Sequence, residues 1–333
     1  MRMIKYIKSV ILLGILLNFM GCAVVFIPAF NKKGDLIEKE IEESKSVFTL
    51  DKILIVDITG IITMENSKGI LSENEGTVAE IKDILKKAKN DDDIKAVILR
   101  INSPGGGVTA SDVIYHEISK FKEDMKKDDK EVVITAAFMD IAASGGYYIA
   151  QSADKIYALD TTLTGSIGVI SVFPKIEGLA QKIGWENRVI KSGEMKDLGS
   201  LFRDFSPEER DVLQKIIDSM YGRFVDTIAE NRKNLTREEI LKLADGRVYT
   251  AQQALDNGLI DGVCYFDEMI DKTKESAGIE DASIITYKRP GDYKSNIYSS
   301  FKQQDIEQIN LLNININPML NVDEPKFFYL WLP

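Results

Sequence analysis

The sequence predicts an α/β protein built around a mostly parallel sheet, with a helical second half behind an N-terminal membrane segment. Three observations predict it. Short continuous apolar runs such as "KILIVDITGII" (52–62), "IKAVILRIN" (94–102) and "EVVITAA" (131–137) have the form of strands buried on both faces. Each is followed by a stretch with helical spacing, which is the pattern of βα units. Beyond Ser192 the helical pattern dominates.

The chain has 333 residues and 44% hydrophobic content, enough for one large domain or two small ones with a real core. Its formal net charge is −10 and no basic stripe is present, which argues against a nucleic-acid partner. Two cysteines, Cys22 and Cys264, give no disulfide framework, and a single histidine leaves no Cys/His metal cluster. No cofactor or metal is expected.

Residues 1–31 read as a membrane anchor or signal segment. Arg2, Lys5 and Lys8 precede a run from Ser9 to Asn31 without any charge. Roughly 20 apolar residues suffice to cross a bilayer. Three readings compete: an uncleaved anchor, a lipoprotein attached at Cys22 of "FMGC", and a cleaved secretion signal. The anchor explains the whole run best. The cations before the span then put the body on the extracytoplasmic side of a single-pass cell membrane protein.

Residues 32–50 are charged and read as a linker, and 51–287 as the main domain. Its first strand is 52–62. The helix "TVAEIKDILKKAKN" begins with a capping box at Thr77 and Glu80 and places Val78, Ile81, Leu85 and Ala88 on one face. "SPGGG" breaks the second strand, and "TASDVIYHEISKFKE" is the next helix. "SGGYYIAQSA" forms another helix after the third strand, followed by short strands in "KIYAL" and "SIGVISVF". Ser206, Pro207 and Glu209 start a long helix running to about Arg232. Residues 288–333 form an Asn-rich tail whose apolar end, "KFFYLWLP", is expected to dock on something.

Two glycine corners carry the chemistry. "RINSPGGG" (100–107) and "ASGG" (143–146) follow consecutive buried strands, and parallel neighbours bring such corners side by side. Either corner alone reads as a turn; together they favour a site. Ser144 would stand at a helix N-terminus, which stabilises developing negative charge. The N–H of Gly145, with that of Gly105 or Gly106, could bind an oxyanion. A Ser–His–Asp triad needs a histidine, and His116 stands in a helical stretch with no such motif around it. A Ser–Lys pair is the main surviving option. Its lysine must lie about 3 pH units below the free value near 10.4. Lys196, in the glycine-punctuated "KSGEMKDLGS" after an expected strand "NRVIKS", stands in an unusual context for a surface lysine.

"INSPGGG", "AASGGYYIA", "TGSIGV", "SGEMKD" and "GRVYTAQQALDNGLIDG" occur in the order found in the signal peptide peptidase A family, the protease IV serine endopeptidases, and the chain resembles that family from about Lys52 to Gly278. The resemblance implies the Clp protease and crotonase type of fold, with ββα repeats. It implies that Ser144 is the nucleophile, Lys196 the general base, Ser166 the residue that orients Lys196, and Gly145 with Pro104–Gly106 the oxyanion hole. The substrates would be remnant signal peptides and other extended apolar peptides. The family's usual "SPxR" after the lysine is "SLFR" (200–203) in this chain. Longer family members carry two copies of the domain and take their lysine from one and their serine from the other. A chain with one copy would then form a homo-oligomer, a ring of eight, in which Ser144 meets Lys196 of a neighbour; the apolar tail end could seal such contacts. Two other functions stay open: a crotonase-like acyl-CoA enzyme, and an inactive scaffold that binds peptides.

Overall fold

Continuous apolar runs do become strands buried on both faces. In the computed structural model, which describes residues 35–46, 49–64, 67–68, 73–74, 76–289, 297 and 327–331, thirteen strands can be numbered. The edge strand β1 is Ile37–Glu42, followed by β2 (Lys52–Ile62) and a short antiparallel pair, β3 (Ser67–Lys68) and β4 (Glu73–Asn74). Next come β5 (Ile94–Gly107), β6 (Val133–Ala143), β7 (Lys155–Ala158), β8 (Leu163–Gly165) and β9 (Ile170–Ser171). The last four are β10 (Val248–Thr250), β11 (Gly262–Val263), β12 (Ser283–Lys288) and β13 (Phe327–Leu330). The main sheet runs β1-β12-β2-β5-β6-β7-β11. All its pairings are parallel except that of β1 with β12. The expected α/β architecture is thus present, with antiparallel additions that make the sheet mixed.

Side chains alternate across a strand, so β2 feeds two cores. Leu54, Val56 and Ile58 enter one, and Ile53 and Ile55 the other. The first core is covered by α1 (Thr77–Ala88), α2 (Val108–Lys127), α3 (Gly145–Ala150) and the 25-residue α5 (Pro207–Asn231). Of the shorter helices, α4 (Glu177–Lys182) lies between α3 and α5 in sequence, and α6 (Arg237–Leu243) and α7 (Ala251–Asp256) follow α5. The second core is closed by α8 (Phe266–Ala277) through Phe266, Met269 and Ile270.

Local expectations fare unevenly. The start of α5 is as expected: Ser206 Oγ accepts from the Glu209 amide, the Ser206 amide donates to the Glu209 carboxylate, and Pro207 stands at the first position. The Thr77–Glu80 capping box does not form, because the helix starts one residue early on Gly76 and Thr77 is its first member. The charged stretch expected to be linker contains β1, whose backbone pairs with β12 in spite of exposed Glu38 and Glu40. "SPGGG" does not end its strand: β5 runs on to Gly107. No strand forms over 187–192. The second half is not purely helical, since β12 lies beside β2 in the main sheet.

Among the described residues no helix is long and apolar enough to cross a membrane. The expected anchor over 1–31 and Cys22 lie outside the described residues, as does most of the Asn-rich tail.

Arg100 and Asp57, on adjacent strands, form an ion pair whose side chains are 3% and 5% exposed, Nε to Oδ1 at 2.6 Å. The guanidinium also lies 5.7 Å from the Phe266 ring centre. Removing one partner leaves a buried charge, so Asp57→Ala should lower unfolding free energy by about 3 kcal/mol in urea titration. Asp57→Leu combined with Arg100→Met should recover much of that loss. A single variant as stable as the parent would show that the pair does not hold β2 to β5.

Candidate functional site

Beyond Ser103 the two central strands part. β5 pairs with β6 from Ala96 to Ser103, after which β6 continues beside β8, with Ala143 opposite Gly165. The freed edge of β5 is taken by β13, antiparallel, with Phe328, Tyr329 and Leu330 opposite Gly107, Gly106 and Gly105. The other edge of β13 meets β9. A fork at the C-terminal ends of parallel strands is where sites of open α/β sheets form.

Ser144 stands in that fork, between the end of β6 and the first residue of α3. Its φ of 52° and ψ of −112° lie outside the regions favoured by side-chain-bearing residues. The conformation is held at both sides: the Ser144 amide donates to the Gly165 carbonyl at 2.7 Å, and the Tyr148 amide donates to the Ser144 carbonyl at 2.8 Å. Such over-determined strain collects at functional sites. The side chain is 1% exposed, and its Oγ is buried without a hydrogen-bond partner. A buried hydroxyl normally finds one.

The glycines around it have no room for side chains. A Cβ on Gly106 would lie 2.1 Å from the Ile62 carbonyl oxygen. One on Gly145 would lie 2.4 Å from Ser111 Oγ and 3.2 Å from the Gly106 amide nitrogen. Gly105 has φ of +104°, and a Cβ there would lie 2.8 Å from the Gly145 nitrogen and 2.0 Å from the Tyr329 carbonyl oxygen. Backbone groups of both glycine corners therefore meet beside Ser144, with the Tyr329 carbonyl against them. The apolar tail end docks, as expected, and does so on its own chain's glycine strand through "FFYL". Tyr329 is fully buried, stacked on Tyr148 at 5.1 Å with its hydroxyl donating to the Met220 carbonyl.

Ser166 is brought to Ser144 through the Ser144–Gly165 bond. It too has a positive φ, 51°, and its amide donates to the Arg247 carbonyl at 2.7 Å. Of the three described non-glycine residues with positive φ, two are these serines. Lys196 is different. It lies exposed in a 3-10 turn, Glu194–Asp197, and Ser144 Oγ has no partner, so the two are not hydrogen-bonded within this chain. Exposed apolar residues precede it: Leu179, Ile183, Trp185, Val189 and Ile190. Asp197, next to Lys196, is tied to Arg203, and hydrogen bonds from Arg203 and then Lys191 hold its carboxyl far below the usual carboxylate range. His116 is exposed on α2. Among the described residues no group of His, Cys, Asp and Glu is placed to hold a metal ion.

The structure brings together the glycines and both serines named from the sequence, and adds Ser111, β13 as part of the fork, and the Arg203 cluster. The last could have been suspected from "KDLGSLFRDFSPEE", which interleaves Asp197, Arg203 and Glu209 at six-residue steps.

The family described as peptidase family S49 matches residues 125–280. A provisionally named signal peptide peptidase SppA of Enterococcus faecium is 36% identical over 259 residues, 78% of this chain and 72% of that protein. Protease 4 of Haemophilus influenzae is 32% identical over 84% of this chain and 46% of its own length. The chloroplastic serine protease SPPA of Arabidopsis thaliana is 34% identical over 75% of this chain and 36% of its own length. The chain thus spans less than half of these two longer relatives. A solved ClpP1 variant of Listeria monocytogenes aligns with 64% of this chain and 92% of that one, at 21% identity and a TM-score of 0.40, too distant to bear on the site.

A methyl group at position 105 cannot coexist with the Tyr329 carbonyl. Gly105→Ala should detach β13 and expose Trp331, whose amide donates to the Pro104 carbonyl at 2.9 Å. In a Trp185→Phe background, which leaves Trp331 as the one tryptophan, its emission should shift to the red with the far-ultraviolet circular dichroism unchanged. An unshifted spectrum would mean that β13 does not depend on this glycine.

Proposed function

We propose, for a chain that belongs to peptidase family S49 and is a serine peptidase, that Ser144 is the nucleophile and Lys196 the general base of a Ser/Lys dyad. The observation that carries this reading is the orphaned Ser144 hydroxyl, buried at a strained corner beside the glycine backbone. The neutral Lys196 amine takes the proton of Ser144 Oγ as it attacks the substrate carbonyl. The N–H of Gly145, with that of Gly106, donates to the developing oxyanion; the Gly105 N–H already donates to Ser103 Oγ at 3.1 Å. Collapse expels the amine of the leaving peptide, which carries off the proton from Lys196, and leaves an acyl ester on Ser144. A water deprotonated by Lys196 then releases the acid. Ser166, joined to Ser144 through Gly165, orients the lysine.

The substrates are remnant signal peptides and other extended apolar peptides. β13 supports this as a stand-in: it lies antiparallel on the edge of β5 with a carbonyl at the glycines and an aromatic ring buried against Tyr148 and Phe224, and a substrate strand would take its place there. Backbone pairing gives affinity for any extended chain, and pockets select side chains. The body, 51–287, is read as one peptidase domain of the Clp and crotonase ββα type, tethered by residues 1–31 outside the cytoplasm.

Lys196 is supplied by a neighbouring copy. The lysine turn is tied to Glu209 at the N-terminal end of α5, through Asp197 and Arg203. The nucleophile's helix packs against Phe224. The two attachment points lie about 22 Å apart along the helix. Closed rings give every copy both partners when the rotation permits, and the resemblance favours eight subunits.

Ser144→Ala and Lys196→Ala should each reduce peptide cleavage by more than about a thousandfold. Lys196→Arg should be equally inactive, because arginine cannot release its proton. Mixing the two alanine variants under subunit exchange should restore part of the activity, measured with a fluorogenic apolar peptide. Mixed oligomers without activity, or a fully active monomer, would place the dyad within one chain.

A further inference from the structure

Segment 185–196 is exposed along its whole length. The backbone hydrogen bonds of the turn that follows are local: Lys196 N–H to Gly193, Leu198 N–H to Met195 and Ser200 N–H to Asp197. Just beyond it the Leu201 carbonyl accepts from the Ile176 amide at 2.8 Å, but local bonds and no buried side chain leave the turn around Lys196 itself loosely held. Yet a general base must be placed to within about an ångström.

We propose that Arg203 is a positioning residue that fixes the Lys196 turn to the start of α5. This rests on the reading of Lys196 as the base. The guanidinium is used fully. Nε and Nη2 donate to the two Asp197 carboxylate oxygens at 3.0 and 2.6 Å, and Nη2 also reaches the Asp197 carbonyl at 3.3 Å. Nη1 donates to Glu209 Oε2 at 2.7 Å and to the Asp204 carbonyl at 2.9 Å, while Nη2 reaches Glu209 Oε1. Arg203 therefore bridges the residue next to Lys196 and the third residue of a capped helix. Glu209 is 4% exposed and already bonded to the Ser206 amide, so that end of the bridge is rigid. Hydrogen bonds from Arg203 and the Ser206 amide lower the Glu209 carboxyl to about 2. Lys191 adds a smaller tie, from its Nζ to Asp197 Oδ1 at 2.8 Å and to the Glu194 carbonyl at 2.6 Å.

From Glu209 the linkage runs through covalent helix to Phe224, whose ring lies 5.1 Å from that of Tyr148. Thr227 Oγ1 donates to the Tyr148 hydroxyl at 3.2 Å. Tyr148 is on the helix that begins next to Ser144. The clasp thus relates the lysine offered by a subunit to the rest of that subunit's frame. Lysine cannot replace the planar fork, which serves two carboxylates at once.

The test uses Arg203→Lys, Arg203→Ala and Asp197→Asn in the full-length oligomer, with hydrogen exchange and peptide kinetics measured together. Amide protection over 194–200 should fall while that of α5 stays, and kcat should fall about 10- to 100-fold with KM within twofold. Arg203→Lys should be no better than Arg203→Ala, and Arg203→Ala with Asp197→Asn no worse than either alone. Unchanged exchange overturns the clasp. So does full activity in Arg203→Lys when Lys196→Ala is inactive, or a loss that appears in KM or as exchange throughout α5. An active Lys196→Ala enzyme removes the reading beneath the proposal, and the proposal with it.

Discussion

Everything at the candidate site depends on how closely the glycine end of β5 approaches the first residues of α3. At Gly105, Gly106 and Gly145 an added Cβ would come within 2.0, 2.1 and 2.4 Å of its nearest neighbour. No other residue type allows these backbones to meet. Their meeting places amide groups beside a serine hydroxyl that has no partner of its own. The strain at Ser144 follows from the same constraint, since β6 must turn into α3 within one residue while its amide stays bonded to Gly165. The glycines and the positive φ of Ser144 are thus two consequences of one packing requirement.

The Ser144 side of the candidate site is buried, and the Lys196 side is exposed and hung on ions. Tyr148 joins the two by packing on Phe224 and bonding to Asp112, which Arg223 also holds. Burial, and then the bond to Asp112, push the Tyr148 phenol far above its ordinary value, so it stays a neutral donor. α5 is therefore a strut between the Ser144 corner and the Lys196 turn.

Much of this was legible in the sequence because it rests on residue types with few alternatives. Buried parallel strands need mainly apolar runs, and 52–62, 94–102 and 131–137 have them, with Asp57 and Arg100 as a paired exception. Close backbone approach needs glycine, so Gly105, Gly106 and Gly145 stood out. The Ser206–Glu209 box declared the start of α5 by local hydrogen bonding alone. What failed had long-range causes. "SPGGG" reads as a break because glycine usually ends strands, yet β13, more than 200 residues later, continues the ladder there. Residues 37–42 carry alternating charges, and only pairing with β12 makes them a strand. The Arg203 clasp needs Asp197 in the turn and Glu209 in α5 to converge on one guanidinium, which their six-residue spacing suggests but does not fix. The expected anchor and most of the tail fall outside the described residues.

The central claim is that Ser144 Oγ is a nucleophile waiting beside a prepared oxyanion site. A fluorophosphonate probe tests it most directly, because its phosphorus binds a serine oxygen as fluoride leaves and its P=O enters the oxyanion position. Peptide mapping by mass spectrometry after labelling of the full-length protein should find the adduct on Ser144. It should be absent in Ser144→Ala and strongly slowed in Lys196→Ala. An enzyme that cleaves peptides yet takes no label, or takes it on another residue, would contradict the account.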